Sequence, residues 1–168
     1  MHTSITIRPW KQEDAAPLAS ICNNKKIWQN LRDKFPHPYM LGNALEWIAY
    51  NRNVHPAQNL AIVYNGIIAG SIGLVPKTDV SRKNIELGYF IGEPYWGKGI
   101  ATEAVATILP YIQKHFDVVR VYAEVFETNT ASMRVLEKNG FHRESTRQKA
   151  VFKSGVLMND CVWVKFLA

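Results

Sequence analysis

The chain has 168 residues, is 47% hydrophobic and 20% charged, and carries a net charge of +6. Those proportions supply enough apolar surface for a core and exclude a disordered or fibrous chain. No apolar run reaches the length of a membrane span and no secretory signal opens the chain, so the expected setting is cytoplasmic, with no membrane partner. The positive charge is spread without a basic tract, which permits nucleic-acid proximity and does not argue for it.

In chain order, "ITIRPW" alternates Ile5 and Ile7 against Thr6 and Arg8 and predicts a strand. "KQEDAAPLASICNN" predicts a helix with Ala15, Leu18, Ala19 and Cys22 on one stripe. A Pro-rich turn leads into a second helix whose apolar residues are Ala44, Leu45, Ile48 and Ala49. "NLAIVYN" and "IIAGSIGLVP" predict two strands joined at Asn65-Gly66, a strong hairpin signal. "NIELGYFIG" is another strand. "GIATEAVATILPYIQKHF" is a long helix with Ala101, Ala104, Val105, Ile108, Ile112 and Phe116 on its apolar stripe, and Pro110 is expected to bend it or weaken its middle. "VVRVYAEVF" is a strand and "TASMRVLEKNG" a helix ended by Gly140 in the left-handed conformation. Two strand-like runs around Lys153-Ser154-Gly155 close the chain as a hairpin.

The order β-α-α-β-β-β-α-β-α-β-β predicts one mixed α/β (α+β) domain over residues 1–168. Antiparallel hairpins come first, and the central strand–helix–strand unit makes its two strands parallel. The two cysteines, Cys22 and Cys161, are far apart and match no metal or redox spacing, so they read as reduced, buried thiols. The five histidines, at 2, 37, 55, 115 and 142, show no ligand spacing either, and no metal site is expected.

The stretch "GEPYWGKGIATEA" carries the chemistry. Gly92, Gly97 and Lys98 fit the phosphate-binding loop of nucleotide hydrolases, but the last position, which must give a hydroxyl to magnesium, is Gly99. A second reading needs no metal. Gly97 and Gly99 flank Lys98 directly after a strand and before a helix, where bare backbone and unpaired helix N–H groups form a nest for pyrophosphate. Lys98 adds a charge and Thr102 a first-turn hydroxyl. The competing structural reading is a glycine turn that merely joins strand to helix.

Here the residues resemble the GNAT acyl-CoA N-acyltransferases, whose cofactor motif is [QR]-x-x-G-x-[GA]. "WGKGIA" matches at Gly99 and Ala101 and departs at Trp96. The subgroup it looks most like is the ribosomal-protein N-terminal acetyltransferases. The shared residues are Glu86, Gly88, Tyr89 and Ile91; Tyr95-Trp96-Gly97; Ala101-Thr102-Glu103-Ala104; and Asn129, Ser132, Leu136-Glu137-Lys138 and Gly140-Phe141.

The resemblance extends over the whole chain. It implies a twisted mixed sheet splayed between strand 85–91 and the strand near 119–126, with acyl-CoA in the splay. The pantetheine arm would run along Tyr89, Phe90 and Ile91 like an added strand. The pyrophosphate would meet the N–H groups of Trp96, Gly97, Lys98, Gly99, Ile100, Ala101 and Thr102, and Asn129 would hydrogen-bond the pantetheine.

The family reaction needs an amine freed of its proton, a donor for the oxyanion and a proton for the departing sulfur. Glu86 is the candidate base by its family position, with Gly88 leaving room on the same face; the alternative is a strand glutamate in a structural hydrogen bond. A backbone N–H near Phe90 or Ile91 is the oxyanion donor. Many family members place an acidic tyrosine four residues before the Gly-Phe pair, and here that position is Leu136. Ser132 is the remaining candidate acid, its alternative being a helix cap.

On the acceptor side Trp28, Phe35, His37 and Tyr39 fall in the region that usually lines the substrate groove, with residues 149–152 and 158–160 opposite. Glu46 and Asp160 are the carboxylates that could attract an amine. The expected function is acetyl transfer from acetyl-CoA to a primary amine, with a protein or peptide α-amine first and a polyamine or aminoglycoside second. A non-catalytic acyl-CoA-binding module is the reading from another class. Association with the ribosome, and a monomer or a homodimer, all accord with the resemblance.

Overall fold

Strand β1 (Ile5–Pro9) and helix α1 (Ala15–Cys22) form where the periodicity places them, joined by a 3-10 turn over Gln12–Asp14. This is a computed structural model that describes residues 4–168, so His2 lies outside it. A short helix α2 (Lys25–Trp28) follows, which the sequence pattern does not predict. Its signal is Asn24, whose side chain accepts from the Lys26 N–H at 2.8 Å as an N-cap.

Helix α3 (Leu41–Asn51) precedes the hairpin of β2 (Asn59–Tyr64) and β3 (Ile67–Pro76). Asn65 and Gly66 both have positive φ, 49° and 79°, as a two-residue turn of matched twist requires. Strand β4 (Asn84–Ile91) leads through a 3-10 turn to helix α4 (Ile100–His115), then β5 (Arg120–Phe126), α5 (Thr130–Lys138), β6 (His142–Lys153) and β7 (Val156–Phe166). The seven-stranded mixed sheet has the order β1-β2-β3-β4-β5-β7-β6, and β4 pairs parallel with β5.

Contacts divide the chain into two compact units: residues through Gly73 with Tyr89–Ala104, and Leu74–Gly88 with Val105–Ala168. In the first, Trp10, Leu18, Cys22, Tyr39, Ala44 and Ile48 pack against Ala61, Val63 and Ile68. Arg8 closes that end with a two-pronged bond to buried Asp14, at 2.7 and 2.9 Å. In the second, Ile85, Leu87, Val121, Ala123, Val125 and Leu136 are all buried. Helix α5 ends in a complete Schellman motif: Phe141 N–H reaches Leu136 C=O at 3.1 Å and Gly140 N–H reaches Glu137 C=O at 3.0 Å. Gly140 takes the left-handed φ of 79° expected of it.

Two sequence expectations change. The buried stripe of α3 is Ala44, Ile48 and Asn51, whereas Leu45 and Ala49 face outward. The face is fixed by Asn51, whose amide donates to Trp47 C=O at 2.8 Å and accepts from Asn59 at 2.7 Å. Helix α4 runs unbroken through Pro110. Proline lacks the N–H that would bond the Ala106 carbonyl, but both residues lie on the exposed face of the helix, where a missing helical bond costs least.

Both cysteines are free and buried, as their spacing predicts, and burial pushes the Cys22 thiol up to about 12. No helix among the described residues is long and apolar enough to cross a membrane. The described residues contain no cluster of His, Cys, Asp and Glu that could hold a metal ion.

Candidate functional site

The glycine loop belongs to the first unit. Gly92 ends β4, its N–H donating to Ala69 C=O at 2.7 Å. Glu93, Pro94 and Tyr95 then make one 3-10 turn, with proline in the first turn where its missing N–H costs nothing. The Glu93 carboxylate is gripped from α2 by Lys26 and by the Asn24 amide, the latter at 2.6 Å. Lys26 first, then Asn24, hold that carboxyl below the usual carboxylate range.

Trp96, the position at which the motif departs from Gln or Arg, turns its indole N–H onto Ile91 C=O at 2.7 Å. The indole thus ties the start of the loop to the end of β4. Gly97 and Gly99 both take left-handed φ, 72° and 74°, and a Cβ at either would meet nothing within 4 Å. The first intrahelical bond of α4 runs from Glu103 N–H to Gly99 C=O at 3.1 Å, so the N–H groups of 97–102 precede the helical ladder. Bare backbone, two left-handed turns and the positive end of a sixteen-residue helix are what an anionic phosphate requires. The residues present therefore fit a metal-free pyrophosphate.

The aromatics expected on the acceptor side fall in the same unit. Phe35 stacks on Tyr39 at 5.1 Å and meets the edge of Phe90 at 5.7 Å, which joins them to the strand segment Tyr89–Ile91. Tyr39 is only 6% exposed and burial raises its pKa, so it is a core residue with its N–H bonded to Asn23. Trp28 lies against His37, ring centres 5.5 Å apart.

Glu86 lies in the second unit with partners the sequence reading did not name. The parallel register runs from Asn84↔Arg120 to Glu86↔Tyr122 and stops there, although both strands continue. Glu86 therefore stands at the point where β4 and β5 cease to pair, and Gly88 beyond it has open space where a side chain would be. The Glu86 carboxylate, 12% exposed, accepts from Lys77 Nζ at 2.8 Å and lies 3.5 Å from the Tyr122 hydroxyl. An ammonium, and not an apolar wall, stands against this carboxylate. Tyr122 was within reach of sequence reasoning, because it shares the polar phase of "RVYAEVF"; Lys77, in a loop, gave no signal.

Asn129 and Ser132 also meet in the second unit. The Asn129 side chain caps α5 by accepting from Ser132 N–H at 3.3 Å. Its amide nitrogen remains the group with which it would donate to a ligand. Of the carboxylates weighed for the acceptor, Glu46 is exposed on α3. Asp160 is buried against Arg147, which also reaches Glu124 at 3.1 Å.

Residues 4–142 match the Acetyltransferase (GNAT) domain. The chain is 30% identical to the putative ribosomal N-acetyltransferase YdaF of Bacillus subtilis, over 99% of this chain and 93% of that protein. It is 27% identical to the spermidine N(1)-acetyltransferase of Escherichia coli K12, over 93% of this chain and 82% of that one. Its fold matches RimL, a ribosomal L7/L12 alpha-N-protein acetyltransferase solved with coenzyme A, with a TM-score of 0.86, 18% identity and 99% and 96% of the two chains covered. The glycine loop ahead of α4, the parallel strands that part at Glu86 and these likenesses over nearly the full length agree: the chain belongs to the GNAT acetyltransferase family.

Proposed function

We propose that this acetyltransferase uses acetyl-CoA as donor and a protein or peptide α-amine as acceptor. The observation that carries the donor is the loop 96–102, whose two left-handed glycines present open backbone ahead of α4. The α-amine is supported by the likeness to RimL, a ribosomal L7/L12 alpha-N-protein acetyltransferase, and to YdaF, a putative ribosomal N-acetyltransferase, and the same likenesses support ribosome association. The spermidine enzyme supports a polyamine as the second reading.

Gly97–Thr102 would hold the pyrophosphate through backbone N–H groups, with Lys98 adding charge; the Trp96 N–H expected beside them instead donates to Glu93 C=O at 3.2 Å. Tyr89–Ile91 would pair with the pantetheine as a strand, and Asn129 would donate its amide to it. Acetyl-CoA, when bound, supplies the activated acetyl group and the thiolate that leaves.

The chain's own work is proton and charge handling. The Glu86 carboxylate takes the proton from the amine, directly or through one water, so that nitrogen keeps its electron pair for attack. A backbone N–H at Phe90 or Ile91 donates to the oxygen on which negative charge builds. The Ser132 hydroxyl donates to the sulfur as it leaves. Trp28, Phe35 and Tyr39 line the acceptor side, with Tyr39 supporting from the core.

Thiol release from acetyl-CoA should be measured with peptides of different first residue, with spermidine and with an aminoglycoside. A peptide turned over in preference to the small amines is the expected result, and Glu86→Gln should slow it about a hundredfold. Turnover of spermidine alone overturns the α-amine, and no turnover with tight acetyl-CoA binding favours a non-catalytic module.

A further inference from the structure

Around Glu86 the second unit builds a cluster from separate elements. Lys77 follows the last residue of β3, and its backbone N–H donates to Asn84 C=O at 3.0 Å, which fixes its start beside the first residue of β4. Its ammonium bonds Glu86 at 2.8 Å and stands 5.6 Å from the centre of the Tyr122 ring. Arg120 covers the same ring at 5.1 Å, so the tyrosine carries two cations. Arg120 is itself held, donating to Asn84 Oδ1 at 2.9 Å and to Glu144 at 2.6 Å. Asn84 in turn donates to Ser81 C=O at 3.0 Å. Lys77 from the β3–β4 connection and Tyr122 from β5 thus meet Glu86 directly, Arg120 lies over Tyr122, and Glu144 of β6 lies beyond Arg120.

We propose that Lys77 is a positioning residue, which aims the Glu86 carboxylate and sets the pH at which it takes up a proton. This rests on the reading of Glu86 as the base. A flexible lysine would be a poor clamp on an exposed carboxylate. Here the Lys77 side chain is 30% exposed and the Glu86 side chain 12%, and the stem is fixed at its backbone and flanked by a ring. Hydrogen bonding to Glu86 raises the Lys77 pKa, against burial and with help from Tyr122. Coupling between two ionisable groups is reciprocal, so the ammonium favours the carboxylate form by the same interaction.

The sign follows. A base must be ionised to accept a proton, so activity depends on pH being above the carboxyl's titration. The ammonium opposes the effect of burial and makes the carboxylate available at lower pH than it would be without Lys77. In the reaction the amine N–H bond breaks, its electron pair stays on nitrogen and the proton goes to Glu86. Lys77 only biases that carboxylate and exchanges no proton itself.

The test uses the whole chain with acetyl-CoA and an alanine-initiated peptide, with spermidine as the alternative acceptor. The pH–rate profile and the carboxyl 13C titration of Glu86 are both followed. Lys77→Met should move the acidic limb and the NMR midpoint to higher pH together, by about 1–3 units, the usual effect of an opposite charge at this range. Lys77→Arg should keep both near their original place. Melting temperature is read alongside, and Lys77→Gln replaces the methionine variant if that one does not fold.

An NMR midpoint that stays put in Lys77→Met, or in Lys77→Gln where that variant replaces it, overturns the proposal. So does a midpoint that moves while a limb abolished by Glu86→Gln does not. A Glu86→Gln enzyme with unchanged rate and limb overturns the base reading instead, and the substrate-free NMR titration then decides alone whether Lys77 governs Glu86.

Discussion

Gly70 and the pair Gly97 and Gly99 are glycines for opposite reasons. A Cβ on Gly70, in the middle of β3, would stand 2.2 Å from the Phe90 carbonyl oxygen and 3.2 Å from the Ile91 Cα. The backbone of β4 comes so close that only hydrogen fits. A Cβ on Gly97 or Gly99 would meet nothing within 4 Å. There the demand comes from the left-handed turn and from whatever approaches the open backbone. One glycine is filled in by the chain itself; the other two face outward, as a loop does when it is built for a ligand.

That contrast can be broken by substitution. Gly70→Ala should give the largest effect, and on the fold. The obstructing atom is backbone, so the cost is near the top of the range for overpacking, about 3 kcal/mol. The melting temperature should then fall by roughly 6–12 °C in a chain of this size. A melting temperature within a degree or so of the parent would show that β3 and β4 yield freely. Gly99→Val should do the reverse: a modest loss of stability, about 1–2 kcal/mol from a side chain at φ 74°, with a much weaker hold on acetyl-CoA. Calorimetry should show acetyl-CoA binding weakened about a hundredfold, because the valine covers the backbone the phosphates would meet. Equal binding by the valine variant would make the loop a plain strand-to-helix turn.

Those glycines also mark how much was legible in the chain. A backbone demand is written locally: Gly97-Lys98-Gly99 between strand and helix, Asn65-Gly66 and Ser154-Gly155 between strands, Gly140 after α5. Each of these carries a positive φ at its glycine, and the order of strands and α-helices between them is as expected, with α2 and three 3-10 turns added. Side-chain demands are written across the fold. Lys77 precedes Glu86 by nine residues and Tyr122 follows it by thirty-six, and only the end of the β4–β5 register brings them together. Helix α3 shows the same limit at smaller scale. Ala44, Leu45, Ile48 and Ala49 fit two neighbouring stripes equally well. The choice fell to Asn51, a polar residue buried by its bonds to Trp47 and Asn59, which no apolar count would put inside.

Trp96 lies between the two kinds of demand and offers the finest cut. Its backbone begins the loop, while its side chain returns to Ile91 through one bond of 2.7 Å. Trp96 as a residue is 46% exposed, so Trp96→Phe removes chiefly the N–H. A single hydrogen bond of this kind contributes about 1 kcal/mol, which is about a fivefold change in an equilibrium. If the bond holds the loop in its receptive shape, KM for acetyl-CoA should rise about fivefold while kcat and the acidic limb of the pH profile stay in place. If it serves stability alone, the melting temperature should fall by about 2–4 °C with KM unchanged. The indole would then belong with Gly70, as a feature the chain needs for itself, and the loop's function would rest on its two glycines.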